Sequence, residues 1–127
     1  MKIIITATQD HLDALVDPRF GRCQYFIIVD TENLNYKVLE NKQRDAFGGA
    51  GVQAAQTVAN EQVEAVVTGA VGPNAFQTLN AAQVPIYTGA QGTVKEAIDA
   101  FKKGQLQETK ISTVGSHHGM GGRGRRK

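Results

Sequence analysis

The second half of the chain alternates short apolar runs with helical patterns, and a glycine-bearing junction stands before each helix. Helical spacing of apolar residues covers 51–62, 73–82 and 93–103, and short buried strands are predicted at 65–68 and 84–87. Strands that alternate with helices form parallel sheets, because the intervening helix returns the chain to the starting edge of the sheet. This pattern restricts the fold to the α/β class.

The first half of the chain is rich in strands. Residues 2–8 and 25–29 contain the β-branched runs typical of buried strands, and residues 35–40 alternate as an outer strand does. The order β-β-β-α-β-α-β-α predicts a mixed five-stranded sheet of order 3-2-1-4-5, with strand 2 antiparallel and helices on both faces. Strands 1 and 4 are then neighbours where the connections change direction, which is where open α/β sheets bind ligands.

The composition is that of an ordinary globular domain. The chain has 127 residues, of which 41% are hydrophobic and 20% charged, enough for one domain with its own core. No apolar run approaches the roughly 18 residues of a membrane span, and the apolar N-terminus is too short for a signal peptide. We therefore expect a cytoplasmic protein without a membrane partner.

Basic residues are concentrated at the C-terminus. The net charge is +2, but four of the residues 123–127 are arginine or lysine, which leaves 10 basic against 12 acidic residues in the rest of the chain. The positive net charge therefore comes from the C-terminal residues and does not indicate a nucleic-acid-binding surface on the folded domain. A nucleic-acid partner is not expected. Glycine-rich residues 112–127 predict a flexible tail after a domain of residues 1–111.

The glycine junctions are the candidate binding elements. Helix N-termini offer unpaired N–H groups and a partial positive charge to an anion, and parallel topology places these junctions at one edge of the sheet. The loop of residues 9–22 adds Arg19 and Arg22 there. Each junction alone also has a purely structural interpretation as a turn, but together they predict a site for a multiply charged anion. The glycines concerned are Gly49, Gly51, Gly69, Gly72, Gly89 and Gly92.

Candidate metal donors are few. Cys23 and His11 lie in or beside the loop after strand 1, and His117 and His118 stand in the glycine-rich tail. Thiolates and imidazoles are soft to borderline donors that suit transition metals and iron–sulfur species. The alternatives stay open, because a lone cysteine is usually a small buried apolar residue and histidines in such segments are usually solvated. A single cysteine also excludes an intramolecular disulfide.

The sequence lacks the motifs of common enzymes. It contains no Walker loop, no Gly-x-Ser-x-Gly element and no nucleophile–base pair. Asp10, Asp13 and Asp17 are acidic neighbours in one loop, but a two-metal nuclease needs further carboxylates on other elements of the sheet. A non-catalytic protein is therefore expected.

Residues 17–26 read Asp-Pro-Arg-Phe-Gly-Arg-Cys-Gln-Tyr-Phe, which resembles the signature of the nitrogenase iron–molybdenum cofactor biosynthesis family of NifX- and NafY-like domains. The helix starts at 48–51, 72–76 and 92–94 are similar to that family in order and spacing. The resemblance implies a ribonuclease H-like three-layer sandwich, non-catalytic binding or carrying of cluster precursors, and a protein that donates or receives the cluster. It places the binding region, besides the glycine junctions, at Asp17, Arg19, Phe20, Gly21 and Arg22.

Three functions are compatible with these patterns. The first is a carrier for an iron–sulfur or iron–molybdenum type cluster or its precursor. The second is a protein that binds a phosphate-bearing metabolite or a nucleotide through the same helix N-termini. The third is a metal-dependent nuclease, suggested only by analogy of fold. Because the chain has one cysteine, a cluster would need histidines, exogenous ligands or a second subunit, which leaves a homodimer open.

Overall fold

One mixed sheet organises the part of the chain that the computed structural model describes, residues 1–42 and 49–112. Within these residues no helix combines the length and apolar character needed to cross a bilayer. The strands are β1 (Lys2–Ala7), β2 (Tyr25–Asp30), β3 (Tyr36–Glu40), β4 (Ala65–Val67), β5 (Ile86–Thr88) and β6 (Gln107–Glu108). The α-helices are α1 (Ala50–Asn60), α2 (Pro73–Ala81) and α3 (Val94–Lys102), and a 3-10 turn covers Phe20–Arg22.

The strand order is β3-β2-β1-β4-β5-β6. The predicted order of the first five strands is confirmed, with β2 antiparallel to β1 and with β1, β4 and β5 parallel. The prediction of five strands was wrong, because β6 pairs antiparallel with β5 through Thr88 and Gln107. Two polar residues carry no strand pattern, and β6 forms because Gly104, at φ 72°, ends α3 and lets the chain turn back beside β5. The ribonuclease H-like assignment stays a prediction.

Helices cover both faces of the sheet. Ile4, Ile28 and Val66 belong to a core cluster that includes residues of α1 and α2, whereas Ile3 and Ile5 belong to a second cluster that includes residues of α3. Alternate residues of β1 therefore enter two separate cores. This explains why β1 is apolar at consecutive positions instead of alternating with polar residues.

The loop between β1 and β2 lies across the carboxyl ends of β1 and β4. The N–H of Asp17 donates to the Thr6 carbonyl at 2.9 Å, and the Thr6 hydroxyl donates to the Asp17 carbonyl at 2.7 Å. The hydroxyl oxygens of Thr6 and Thr68 are 2.8 Å apart. All three residues are buried, so these contacts satisfy polar groups whose burial would otherwise cost free energy.

The same loop pairs with the segment that follows β4. Ala70 donates its N–H to the Pro18 carbonyl at 2.8 Å, and Phe20 donates its N–H to the Ala70 carbonyl at 3.3 Å. A Cβ atom on Gly69 would lie 2.5 Å from the Cα atom of Pro18. The absence of a side chain at Gly69 therefore permits this backbone contact.

This contact predicts different effects for two alanine substitutions in one short segment. Gly69→Ala should lower the free energy of unfolding by about 1–3 kcal/mol, because the new methyl group overlaps the Pro18 backbone. Gly72→Ala should change it by less than about 1 kcal/mol, because nothing lies within 4 Å of a Cβ at that position. Urea unfolding of both variants measures the difference, and equal free energies would contradict the contact.

Candidate functional site

A depression of about 190 Å³ lies where the N-termini of α1 and α2 meet the 3-10 turn. We call it the glycine depression, because four glycines contribute to its walls. Its lining residues are Gly21, Gly49, Gly51, Val52, Gly72, Pro73, Asn74 and Ala75. The structure thus brings together Gly21, Gly49, Gly51 and Gly72 from the set that the sequence singled out, and these come from three separate stretches of chain.

No described side chain caps either of the two helices that open on the depression. The N-cap residues are Gly49 and Gly72, neither helix has an acidic residue in its first turn, and no side chain of the described residues caps their first N–H groups. Gly49 has φ 75°, a left-handed conformation that favours glycine. Among residues 1–42 and 49–112, no negative side chain therefore balances the partial positive charge at these two helix ends.

Close backbone packing brings the walls together. A Cβ on Gly21 would lie 2.8 Å from the Cα of Gly51, and a Cβ on Gly51 would lie 3.3 Å from the Cβ of Ala75. The 3-10 turn, α1 and α2 are thus in contact at positions where larger residues would push them apart. Glycine also lets a ligand approach the backbone directly, as it does in phosphate-binding loops.

The start of α3 is arranged differently. Thr93 and Glu96 form a capping box, in which the Thr93 hydroxyl accepts from the Glu96 N–H and the Glu96 carboxylate accepts from the Thr93 N–H. Val94 and Lys95 donate their N–H groups to carbonyls of the loop between β1 and β2. These N–H groups are already satisfied, and α3 packs on the opposite face of the sheet from α1 and α2.

Three predicted glycines lie outside the lining of the depression. Gly69 contacts Pro18, and a Cβ on Gly92 would meet the carboxylate of Glu96. Gly89 lies beside the segment that contains β6. The loop that precedes α3 thus has its own local contacts. Three helix starts were predicted to form one site, but only those of α1 and α2 line the depression.

Asp17 and Arg19 form a pair at the edge of the loop. The Asp17 side chain is 5% exposed, and its Oδ1 accepts hydrogen bonds from the Arg19 backbone N–H at 2.9 Å and from Arg19 Nε at 3.3 Å. Arg19 Nη2 also donates to Asp17 Oδ2 at 3.5 Å, so Asp17 partly balances the charge of an arginine side chain that is 66% exposed. Arg22 is also exposed.

Phe20 anchors the 3-10 turn in the core. It is 2% exposed, and its ring centroid lies 5.9 Å from that of Phe26 on β2. Phe20 is therefore one of the predicted binding residues that do not line the depression. Its ring packs in the core and holds the 3-10 turn in place.

Cys23 is a buried thiol in this fold. It is fully buried, and its Sγ donates a hydrogen bond to the Phe20 carbonyl at 3.3 Å. Burial, together with a smaller effect of the negative charge of Asp17, raises the pKa of Cys23 to about 12. Because the thiolate is the form that binds metals, this protonated thiol is poorly suited to ligation at neutral pH. The ligand role of Cys23 stays a prediction, and it is not part of the site proposed below.

The histidines do not complete a metal site within the described residues. His11 is exposed, and its Nε2 lies 2.9 Å from the Gln9 side-chain oxygen. No group of three or more His, Cys, Asp or Glu residues in 1–42 and 49–112 is placed to hold a metal ion. His117 and His118 lie outside the described residues.

Asn41 was not anticipated from the sequence. It is 3% exposed, and its side-chain Nδ2 donates to the Gly21 carbonyl at 3.2 Å and to the Cys23 carbonyl at 2.9 Å. In the sequence it is a polar residue at the end of the third strand, which is typical of a turn. Its contacts arise only when β3 is placed beside β2, so no local signal identifies them.

The family model for the dinitrogenase iron-molybdenum cofactor matches residues 1–104. The chain belongs to this family. The resemblance noted at residues 17–26 is thereby confirmed, and membership of the cofactor family associates the chain with a cluster-related function.

Solved structures and a curated relative extend the comparison. The chain is similar to the apo form of the orange protein from Desulfovibrio gigas, with 36% identity, 89% of this chain and 96% of that chain covered, and a TM-score of 0.85. It is similar to a Thermotoga protein of the DUF35 family, with 42% identity, coverage of 89% and 97%, and a TM-score of 0.77. An uncharacterized protein of Methanocaldococcus jannaschii is 31% identical over 111 residues, 85% of this chain and 91% of that protein.

The raised pKa of Cys23 predicts a pH dependence of stability. The thiol ionises near its ordinary pKa of 9.0 when unfolded and near 12 when folded, so its contribution to stability is complete below pH 9 and falls as the pH rises toward 12. The difference in unfolding free energy between wild type and Cys23→Ala should shrink by about 1 kcal/mol from pH 8 to pH 10. Urea unfolding at both pH values measures it, and a constant difference would show that the thiol is not shielded.

Proposed function

We propose that the protein binds an anionic iron–sulfur or iron–molybdenum type cluster, or a precursor of one, at the glycine depression, and that it carries this cargo without catalysis. The observation that supports the proposal is the pair of helix N-termini that open on one glycine-walled depression and that no side chain of the described residues caps. Family membership supplies the class of cargo. The orange protein, to which the chain is similar, is described in an apo form, which means that it has a ligand to lose.

The binding chemistry is that of backbone donors. The two helix N-termini direct N–H groups and partial positive charge toward the depression, and sulfide or oxide ligands of a cluster accept such hydrogen bonds. The volume of about 190 Å³ equals that of about six water molecules, so a small anion or one face of a larger cluster fits. The exposed Arg19 lies in the neighbouring loop, where Asp17 partly balances its charge.

This mode of binding suits a carrier. No thiolate of the described residues reaches the depression, so the cargo would be held by hydrogen bonds and charge and could leave intact. A donor or recipient protein is the partner that such a carrier requires.

The alternative ligand, a phosphate-bearing metabolite, would use the same N–H groups. The binding experiment described below distinguishes such a metabolite from a cluster. The nuclease hypothesis gains no support from the described residues, which contain no group of three carboxylates or histidines placed for a metal.

An acidic residue at the start of α2 provides the test. Gly72→Asp should weaken binding of tetrathiomolybdate, a small molybdenum–sulfur anion, by at least about tenfold, because the carboxylate would occupy and neutralise the helix end. A Cβ at this position meets nothing within 4 Å, and aspartate is a favourable N-cap, so the fold should be retained. The matched control is Asn80→Asp, which adds the same charge at the exposed opposite end of α2.

Binding is measured without oxygen by visible absorption and by the amide NMR shifts of residues 49–52, 72, 74 and 75, with inorganic phosphate and ATP as parallel probes. We expect tetrathiomolybdate to shift these amides in wild type and Asn80→Asp, and to shift them much less in Gly72→Asp. Shifts caused by phosphate or ATP alone would favour the metabolite-binding alternative. No shift with any probe would refute the site.

A further inference from the structure

Two buried donors hold the carbonyl groups of the 3-10 turn. Cys23 Sγ donates to the Phe20 carbonyl at 3.3 Å, and Asn41 Nδ2 donates to the Gly21 and Cys23 carbonyls at 3.2 Å and 2.9 Å. Both side chains are buried, with exposures of 0% for Cys23 and 3% for Asn41. Three carbonyls of one short segment are therefore drawn toward the interior by side chains that do not line the glycine depression.

The orientation of these carbonyls decides what the turn presents to a ligand. In a trans peptide the N–H lies on the opposite side from the C=O. When the Phe20 carbonyl points to the buried Cys23 thiol, the Gly21 N–H of the same peptide therefore points away from the core. Gly21 lines the depression. A carbonyl oxygen turned into the depression would instead repel an anion.

We propose that Cys23 and Asn41 are positioning residues for the anion site: they hold the carbonyls of Phe20, Gly21 and Cys23 inward, so that the turn offers an N–H group to the anion and no oxygen. This inference rests on the proposed function and concerns the same depression. It gives the cysteine the role of a permanent hydrogen-bond donor in place of a metal ligand.

The protonation state of Cys23 agrees with this role. Burial raises its pKa to about 12, so the S–H proton is retained at physiological pH. The Asn41 amide does not titrate, and its Nδ2 donates to the two carbonyls and also lies 3.9 Å from Cys23 Sγ, so the two donors are in contact with each other. An apolar residue of similar volume at either position would fill the space but would leave the carbonyls without these donors.

The test compares donor-removing with donor-retaining variants. Cys23→Ala removes the thiol donor, Asn41→Ser is too short to reach both carbonyls, and Cys23→Ser keeps a donor at nearly the same place. Ile98→Val, in the core on the α3 face of the sheet, is the control for a loss of stability far from the depression. For each protein the Tm and the Kd for tetrathiomolybdate are measured, the Kd at a temperature where all variants are folded.

We expect Cys23→Ala and Asn41→Ser to raise the Kd by about fivefold or more, roughly what the loss of one hydrogen bond produces. Cys23→Ser should bind within about twofold of wild type, and Ile98→Val should lower the Tm with the Kd unchanged. The Gly21 amide should be shifted by the anion in wild type and less in the two weakened variants. Because the two variants alter different donors, either one that folds provides the measurement.

Other outcomes overturn the inference in distinguishable ways. If wild type binds and both donor-removing variants bind equally well, these hydrogen bonds only stabilise the fold. If Cys23→Ser loses binding as completely as Cys23→Ala, the sulfur is a ligand and the positioning role is wrong. If wild type binds none of the probes, the proposed function fails and the positioning role fails with it.

Discussion

The attachment of the loop between β1 and β2 to the carboxyl ends of β1 and β4 is the interaction on which the site depends. The buried hydrogen bonds among Thr6, Asp17 and Thr68 fix the middle of the loop, and the exchange between Pro18 and Ala70 fixes its continuation. The 3-10 turn then reaches α1, where two glycines allow backbone contact. Without this attachment, the helix starts would open on solvent with no third wall.

The strand order and the class of the fold were accessible from the sequence because their determinants are local. β-branched runs, glycine junctions and helical spacing each act over a few residues, and chain connectivity then restricts the topology. β6 was missed because its two polar residues become a strand only through pairing with β5. Asn41 was missed for the same reason, since its partners lie 18 and 20 residues away in the chain.

The site was predicted only in part, and the reason is geometric. All three glycine junctions were placed at one edge of the sheet, but an edge has two faces, and neighbouring layers are separated by about 10 Å. The helices α1 and α2 share one face, and α3 lies on the other. The spacing of Thr93 and Glu96 was visible in the sequence, and the capping box that it forms satisfies N–H groups that an anion would need.

Under the proposed function, the contrast between this self-capped helix and the starts of α1 and α2, which no described side chain caps, would affect how the cargo is held. A helix end without a cap unfolds its first turn more readily than a capped one. Its first N–H groups have no acceptor within the helix, and they can form hydrogen bonds with water equally well when the turn is unfolded. An arriving anion would order the starts of α1 and α2, and part of its binding free energy would be consumed by that ordering. Under the proposed function, retention would then be weaker than in a rigid cage and departure faster, as delivery of the cargo requires and storage does not.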